Sequence, residues 1–374
     1  MLAQALLTLE ILFLINNMTF TVTIEPSARQ FSVPQGGNIL MAGIQAGVAL
    51  PYGCKDGACG SCRCKKLSGS VVQGEHQSRA LSPEDAAQGF ILTCCATAES
   101  DLVLESKQVL DVGMPVVKKM PVRLLSAEKK AADVMLLRLQ LPQTEAFDYR
   151  AGQYIDFLLK DGQKRSYSIA NAAPLRIQSE SSGSELHCVE LHIRHMPGGL
   201  FTDHLFNTLK EKEIFRIEGP LGGFFLRPSI KPMIFLASGT GFAPIKALIE
   251  QVMDSKEESH ANASIELYWG ARTLADLYMH NWVLELAERW PRLKYIPVLS
   301  EPLSSDAWQA RTGFVHQAVL QDHPDLSGHQ VYACGAPLMV EAAKRDFSLL
   351  AQLPTDEFFA DAFLSSADLN PKVQ

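Results

Sequence analysis

Cys54-Lys55-Asp56-Gly57-Ala58-Cys59-Gly60-Ser61-Cys62-Arg63-Cys64 puts four thiols within eleven residues. Cys54, Cys59 and Cys62 have the spacing C-x4-C-x2-C, by which one short loop can give three thiolates to a [2Fe–2S] cluster. Gly57, Ala58, Gly60 and Ser61 carry almost no side chain. Backbone N–H groups can therefore approach the bridging sulfides and offset their charge. A fourth thiolate must come from farther along, and Cys94 and Cys95 stand side by side in Phe90-Ile91-Leu92-Thr93-Cys94-Cys95. Zinc prefers two paired knuckles, and no second C-x2-C pair follows. A disulfide framework suits a short secreted chain, not 374 residues without a secretory signal.

Around the loop the apolar pattern is regular. Thr19-Phe20-Thr21-Val22-Thr23-Ile24 alternates like a half-buried strand, and 30–33 reads as a second. Residues 38–47 have helical spacing. Leu81-Ser82-Pro83-Glu84-Asp85-Ala86 opens a helix, with Ser82 as cap, Pro83 in the first position and acids following. Leu102-Val103-Leu104 is a closing strand. With these elements, residues 18–107 resemble a plant-type [2Fe–2S] ferredoxin domain of β-grasp fold. In that family the last ligand follows a Leu-x pair, which Leu92-Thr93-Cys94 matches. The resemblance implies Cys54, Cys59, Cys62 and Cys94 as the metal ligands. Cys64 is left as a small buried residue on the strand leaving the loop.

A chain of 374 residues, 47% apolar and 20% charged, has room for two or three globular domains. Its net charge of −7 argues against a nucleic-acid partner. Eight cysteines without a secretory signal point to a reducing compartment, hence the cytoplasm. Residues 1–17 are mostly apolar but carry no Lys or Arg, so they lack a signal peptide's positive start. They are also shorter than the roughly 20 residues a membrane span needs, and no stable membrane insertion is expected. Met18 reads as the natural start and 1–17 as an extension, with a short interfacial helix as the alternative.

Lys107 to Met120, with Gly113, Pro115 and the pair Lys118-Lys119, reads as a linker, leaving 108–119 between domains. Over 120–228, strand patterns at 135–139, 153–159 and 186–193 with Gly/Pro turns predict an antiparallel β-barrel. Ser179-Glu180-Ser181-Ser182-Gly183-Ser184 is a polar hairpin loop within it. His192 and His195 lie on a barrel strand and are expected to be exposed. Over 229–374, apolar runs at 233–237, 265–269, 295–299 and 331–334 alternate with helical patterns. That alternation predicts a doubly wound α/β domain.

Four segments carry cofactor chemistry. Arg165-Ser166-Tyr167-Ser168 offers a guanidinium for phosphate, a ring to pack on a flavin and a hydroxyl for its redox nitrogen. Met196-Pro197-Gly198-Gly199-Leu200-Phe201-Thr202 is a glycine turn opening a helix, suited to a pyrophosphate. Gly219-Pro220-Leu221-Gly222 is a second tight turn, read as structural. Gly239-Thr240-Gly241-Phe242-Ala243-Pro244 lies between an apolar strand and a helix, the context of a dinucleotide loop. It departs from G-x-G-x-x-G because Pro244 replaces the third glycine and starts the helix.

In this order the segments resemble the ferredoxin–NADP reductase superfamily over about residues 120–374. The resemblance implies FAD on Arg165, Tyr167 and Ser168, with Ser168 at flavin N5. It implies NAD(P)H on Gly239, Thr240 and Gly241. Cys334-Gly335-Ala336-Pro337 matches the family's C-G-x-P motif and would place Cys334 and Gly335 where nicotinamide meets flavin. Gly198, Gly199 and Thr202 would lie by the pyrophosphate. Arg272, in Trp269-Gly270-Ala271-Arg272, could reach a phosphate. The Arg/Lys cluster that holds a 2′-phosphate is not evident, and Asp276 is near, which favours NADH over NADPH. Phe358-Phe359-Ala360-Asp361-Ala362-Phe363 resembles the aromatic end that some relatives place near the flavin, or is simply a docked amphipathic end.

NAD(P)H gives two electrons at once as hydride, and a [2Fe–2S] cluster takes one. A flavin bridges the two, so the expected order is NAD(P)H, FAD, cluster, partner protein. Ser168 and Cys334 are the residues expected at the reacting atoms, and no general acid or base is called for. The domain set resembles reductases with an N-terminal ferredoxin domain: first the CDP-6-deoxy-glucoseen reductases, whose partner is a dehydratase, and as the alternative the reductase components of oxygenases. A different class, an electron-relay subunit without nicotinamide turnover, is opposed by the intact 239–244 loop and Cys334-Gly335.

Overall fold

The structure, a computed structural model, describes residues 18–109, 113–178, 183, 185–255 and 264–364. The 1–17 extension and the polar 179–184 loop, Gly183 apart, lie outside them. The described residues divide into two compact units, one running from Met18 to Met114 with Leu364, the other within Pro115–Phe363.

In the first unit the elements are β1 Thr19–Glu25, β2 Arg29–Pro34, α1 Ile39–Gln45, β3 Arg63–Ser68, β4 Val71–Gln73, α2 Pro83–Ala87, β5 Phe90–Leu92, β6 Ala96–Ala98 and β7 Leu102–Glu105. Five strands form one mixed sheet in the order β2-β1-β7-β3-β5. β1 and β7 run parallel at its centre, with Val22 opposite Leu102. The period-two alternation of β1 buries Val22 and Ile24, and Phe31, Val33, Ile39 and Leu40 close the core. Asn38 caps α1 by accepting the Met41 N–H at 3.0 Å. Ser82 caps α2 through the Asp85 N–H at 3.1 Å, with Pro83 in the first turn.

The second unit begins with β8 Lys118–Ala131, β9 Val134–Gln140, β10 Tyr154–Leu158, β11 Lys164–Ser168, β12 Leu175–Gln178, β13 Glu185–Arg194, α3 Leu200–Asn207 and β14 Ile214–Leu221. These strands form a seven-stranded antiparallel sheet, β11-β10-β14-β8-β9-β13-β12. The expected antiparallel β-barrel is an open, curled one: among the described residues no ladder joins the edge strands. The sheet curls until Ile169 meets Leu191 in one isolated bridge. Lys118 and Lys119, read as linker, are strand residues, because β14 pairs with them and Glu218 faces Lys119. Leu137, Ile155, Phe157, Val189, Leu191, Ile193 and Ile217 fill the concave side.

The rest of the unit alternates: β15 Met233–Ser238, α4 Phe242–Asp254, β16 Ile265–Ala271, α5 His280–Arg289, β17 Leu293–Leu299, β18 Arg311–Thr312, α6 Val315–Asp322, β19 Gln330–Gly335, α7 Pro337–Leu350 and β20 Phe358–Ala362. The sheet order is β18-β17-β16-β15-β19-β20, with every pairing parallel. Connections run outward both ways from β15. The crevice beyond the carboxyl ends of β15 and β19 is therefore the topological switch point, where open α/β sheets bind ligands. The aromatic end at 358–362 proves to be the edge strand β20, with Asp361 opposite Cys334.

Candidate functional site

Within the first unit the thiol loop is shaped by its glycines. Gly57 and Gly60 have φ of +69° and +71°, where an L side chain is strained. A Cβ on Gly57 would lie 2.7 Å from Cys95 Sγ. Backbone donors converge on sulfur: Cys54 N–H reaches Cys59 Sγ, and Cys59 N–H reaches Cys54 Sγ, each at 3.3 Å. The Ser61 N–H stands 3.5 Å from Cys59 Sγ, and the Gly57 N–H bonds Cys94.

Cys94 comes to the loop through contacts that sequence reasoning missed. Buried Thr93 donates its N–H and hydroxyl to the Cys62 carbonyl, at 3.3 and 3.2 Å. Asn38, the α1 cap, donates Nδ2 to the Cys94 carbonyl at 2.6 Å, and the Leu40 N–H bonds the Thr93 carbonyl. The Cys62 and Cys94 side chains touch. Cys95 Sγ stands 3.5 Å from Cys94 Sγ. Cys64 is buried on β3.

All four candidate ligands are free thiols. A hydrogen bond from Cys54 favours the thiolate at Cys59, lowering it to about 5. The same bond and burial raise Cys54, and contact with Cys62 plus burial raise Cys94. So the bare set resists holding several thiolates at once. Backbone donors aimed at sulfur, with thiols that ionise together only against cationic iron, fit a [2Fe–2S] cluster.

In the second unit the Gly239–Gly241 turn, the candidate for a dinucleotide, sits at the switch point. It interlocks with Cys334-Gly335: a Cβ on Gly241 would stand 2.5 Å from the Cys334 carbonyl carbon. Gly335 has φ of +136°, and its Cβ would meet Ser238 O at 2.6 Å. Ser238 Oγ accepts the Ala336 N–H at 2.9 Å. Below the turn, the Phe242 and Trp269 rings stack at 4.0 Å, and Trp269 Nε1 donates to the Gly239 carbonyl at 3.1 Å. Thr240 and Cys334 are buried. Burial and nearby Asp361 push the Cys334 thiol well above its usual range, so it stays neutral.

On the sheet, Arg165 and Tyr167 share one face of β11 and Ser168 takes the other, by strand alternation. Tyr167 packs on Phe157 and Phe201. Arg165 bonds the Lys164 carbonyl at 2.8 Å and Gln163 Oε1 at 2.6 Å. Ser168 is buried. At the start of α3 the Gly198 N–H donates to Asp203 Oδ2 at 3.1 Å and the Gly199 N–H to the Met196 carbonyl at 2.8 Å. Thr202 Oγ1 accepts the Met196 N–H at 3.1 Å. These groups are thus engaged within the turn. Arg272 is largely exposed, with Nε 3.8 Å from Asp276 Oδ2.

His192, expected to be exposed, is buried. Its ring bonds the Tyr278 hydroxyl at 2.8 Å and Glu190 Oε1 at 3.3 Å. His195 is part-buried, stacked on Phe206 and bonded to Asp203 Oδ1 at 2.7 Å. Arg194, which the sequence did not single out, ends β13 with its guanidinium against Gly239. Its Nη2 is buried without a hydrogen-bond partner. An anionic dinucleotide group would satisfy it. Arg194→Ala is expected to raise the NADH KM by about tenfold, the worth of one charge-assisted hydrogen bond, at unchanged FAD content. Steady-state kinetics with an unaltered KM would remove Arg194 from the site.

Burial alone would raise Glu190. Bonds to His192 and Lys246 and the Lys246 charge outweigh it and hold the carboxyl at about 2. Burial holds His192 below its usual 6.5. Both groups bind fewer protons folded than unfolded on acidification, so stability is full above about pH 6.5 and falls below it. The Glu190 part is lost between its ordinary 4.5 and about 2. Urea midpoints followed against pH should show a shallower acid decline in Glu190→Gln than in the wild type below pH 4.5. Parallel declines would contradict the assignment.

Three family models match the chain. The 2Fe-2S iron-sulfur cluster binding domain covers residues 22–99. The oxidoreductase FAD-binding domain covers 121–226 and the oxidoreductase NAD-binding domain 235–345. The CDP-6-deoxy-L-threo-D-glycero-4-hexulose-3-dehydrase reductase of Yersinia pseudotuberculosis is 40% identical over 353 residues, 93% of this chain and 100% of that protein. Terephthalate 1,2-dioxygenase reductase component 1 of Comamonas sp is 33% identical over 93% of this chain and 98% of its own. The crystal structure of an Amycolatopsis cytochrome P450 reductase superposes with a TM-score of 0.70 at 30% identity, covering 92% of this chain and 99% of that one. Among the described residues no helix is long and apolar enough to cross a membrane.

Proposed function

The chain belongs to the family of iron–sulfur flavoprotein reductases that join 2Fe-2S, FAD-binding and NAD-binding domains, and from that membership we propose that its acceptor is a dehydrase of CDP-linked 6-deoxyhexuloses. It is an NAD(P)H-dependent oxidoreductase that passes electrons to a partner protein. Bound FAD would supply the two-electron to one-electron conversion between nicotinamide and cluster. Cys54, Cys59, Cys62 and Cys94 hold the iron, and Asn38 and Thr93 keep Cys94 in reach. Arg165 would meet phosphate, Tyr167 would support the flavin ring and Ser168 would hydrogen-bond it. Gly198, Gly199 and Thr202 shape the turn beside it. Gly239, Thr240 and Gly241 carry the dinucleotide, and Cys334 and Gly335 wall the nicotinamide end. Arg272, drawn towards Asp276, suits a free ribose and hence NADH. We place the protein in the cytoplasm, where its free thiols stay reduced.

The 40% identity over the full length of the Yersinia reductase carries the choice of acceptor. The test is reconstitution: this chain, NADH, a dehydrase of that class and its substrate should give NADH-dependent deoxygenation of the sugar. The oxygenase-reductase reading is favoured by the 33% identity to the Comamonas protein. Turnover with a ring-hydroxylating oxygenase, and none with the dehydrase, would replace the first reading with the second.

A further inference from the structure

Lys246 lies on α4, five residues beyond Gly241, and is 5% exposed. Its Nζ donates to the Ala170 carbonyl at 2.9 Å and to Glu250 Oε1 at 2.6 Å, and stands 3.2 Å from Glu190 Oε1. Glu250, one helical turn on, accepts the Ala172 N–H at 3.0 Å. Two side chains of one helical turn thus hold both ends of the tripeptide 170–172, the chain leaving Ser168. The sheet grips the same tripeptide from its other side. The Glu190 carbonyl accepts the Ala170 N–H at 2.8 Å, and the Glu190 N–H donates to Asn171 Oδ1 at 2.7 Å. Its carboxylate also takes Arg138 Nε at 3.1 Å and faces His192.

A buried ion network contributes little net stability over apolar packing, because desolvation offsets the attraction. What it fixes is geometry. We propose that Lys246 and Glu250 are positioning residues that clamp the 170–172 segment to α4 and so set the placement of Ser168 relative to the Gly239–Gly241 turn. The clamp rests on the reading of Ser168 as flavin-facing and of that turn as nicotinamide-binding. α4 transmits the position because Phe242, its first residue, is stacked on the same Trp269 that bonds Gly239. A misplacement of about 1 Å between reacting groups can cost roughly a hundredfold in rate.

The experiment uses FAD- and cluster-loaded Lys246→Met, which keeps length and loses charge, and Glu250→Gln, which keeps shape. The readouts are FAD content, NAD+ affinity, the NAD+–flavin charge-transfer absorbance and the anaerobic rate of flavin reduction by NADH. In Lys246→Met, FAD content and NAD+ affinity should stay near wild type. The charge-transfer band should weaken and reduction slow by about tenfold or more, with Lys246→Arg recovering part of both. Glu250→Gln should fall between. A wild-type rate and band in Lys246→Met overturns the clamp. If that variant does not fold, a wild-type rate and band in Glu250→Gln overturns it. A slowing that only tracks lost FAD overturns it as well. Failure of the wild type itself to reduce its flavin with NADH overturns the functional reading beneath it.

Discussion

Cys59→Ser is expected to abolish cluster absorbance and reduce NADH–cytochrome c activity to background, while NADH-to-ferricyanide transfer through FAD continues. Cys59 Sγ is the sulfur on which the Cys54 and Ser61 N–H groups converge. The Cys54 hydrogen bond makes it the thiol most ready to ionise, at about 5. A serine hydroxyl is far less acidic, and its C–O bond is too short to restore the sulfur's position. The cysteine loop and the 239–241 turn belong to different compact units, so loss of the cluster need not disturb the flavin. Loss of both activities in a folded, FAD-loaded variant would contradict the electron order.

Gly335→Ala is expected to remove NADH-driven flavin reduction, by about a hundredfold or more, while FAD content and cluster absorbance persist. The new Cβ would meet backbone atoms, Ser238 O at 2.6 Å and Ser238 N at 3.0 Å, at a φ of +136°. No rotamer change relieves a backbone collision, so the β15 and β19 ends must part and the crevice between them must open. Gly113→Ala is the control, since a Cβ there meets nothing within 4 Å. Flavin reduction at the wild-type rate in Gly335→Ala would show that this turn does not shape the nicotinamide site.

The ferredoxin-like unit and the parallel sheet were legible because their signals are local. Cysteine spacing marks a loop, and continuous apolar runs mark buried strands. Strand β13 shows why other features were not. Val189, Leu191 and Ile193 face the sheet core, so the alternating Glu190, His192 and Arg194 read as a solvated face. In the fold, Lys246 of α4 and Tyr278 cover that face, and their positions in sequence carry no hint of it. Nothing local marks Asn38 beyond the start of a helix, because its bond to the Cys94 carbonyl spans 56 residues. The open edge between β11 and β12 was likewise invisible, since strand count and turn spacing are the same for a curled sheet and a closed barrel.

The proposed route takes electrons in at the 239–241 turn and out at the Cys54–Cys94 thiol set by way of FAD. Anaerobic rapid mixing of the fully loaded protein with NADH, read by flavin absorbance and by freeze-quenched EPR, tests it most directly. Flavin bleaching should come first and the reduced-cluster signal second, and protein stripped of FAD should give no cluster signal. Cluster reduction by NADH in the FAD-stripped protein would contradict the account.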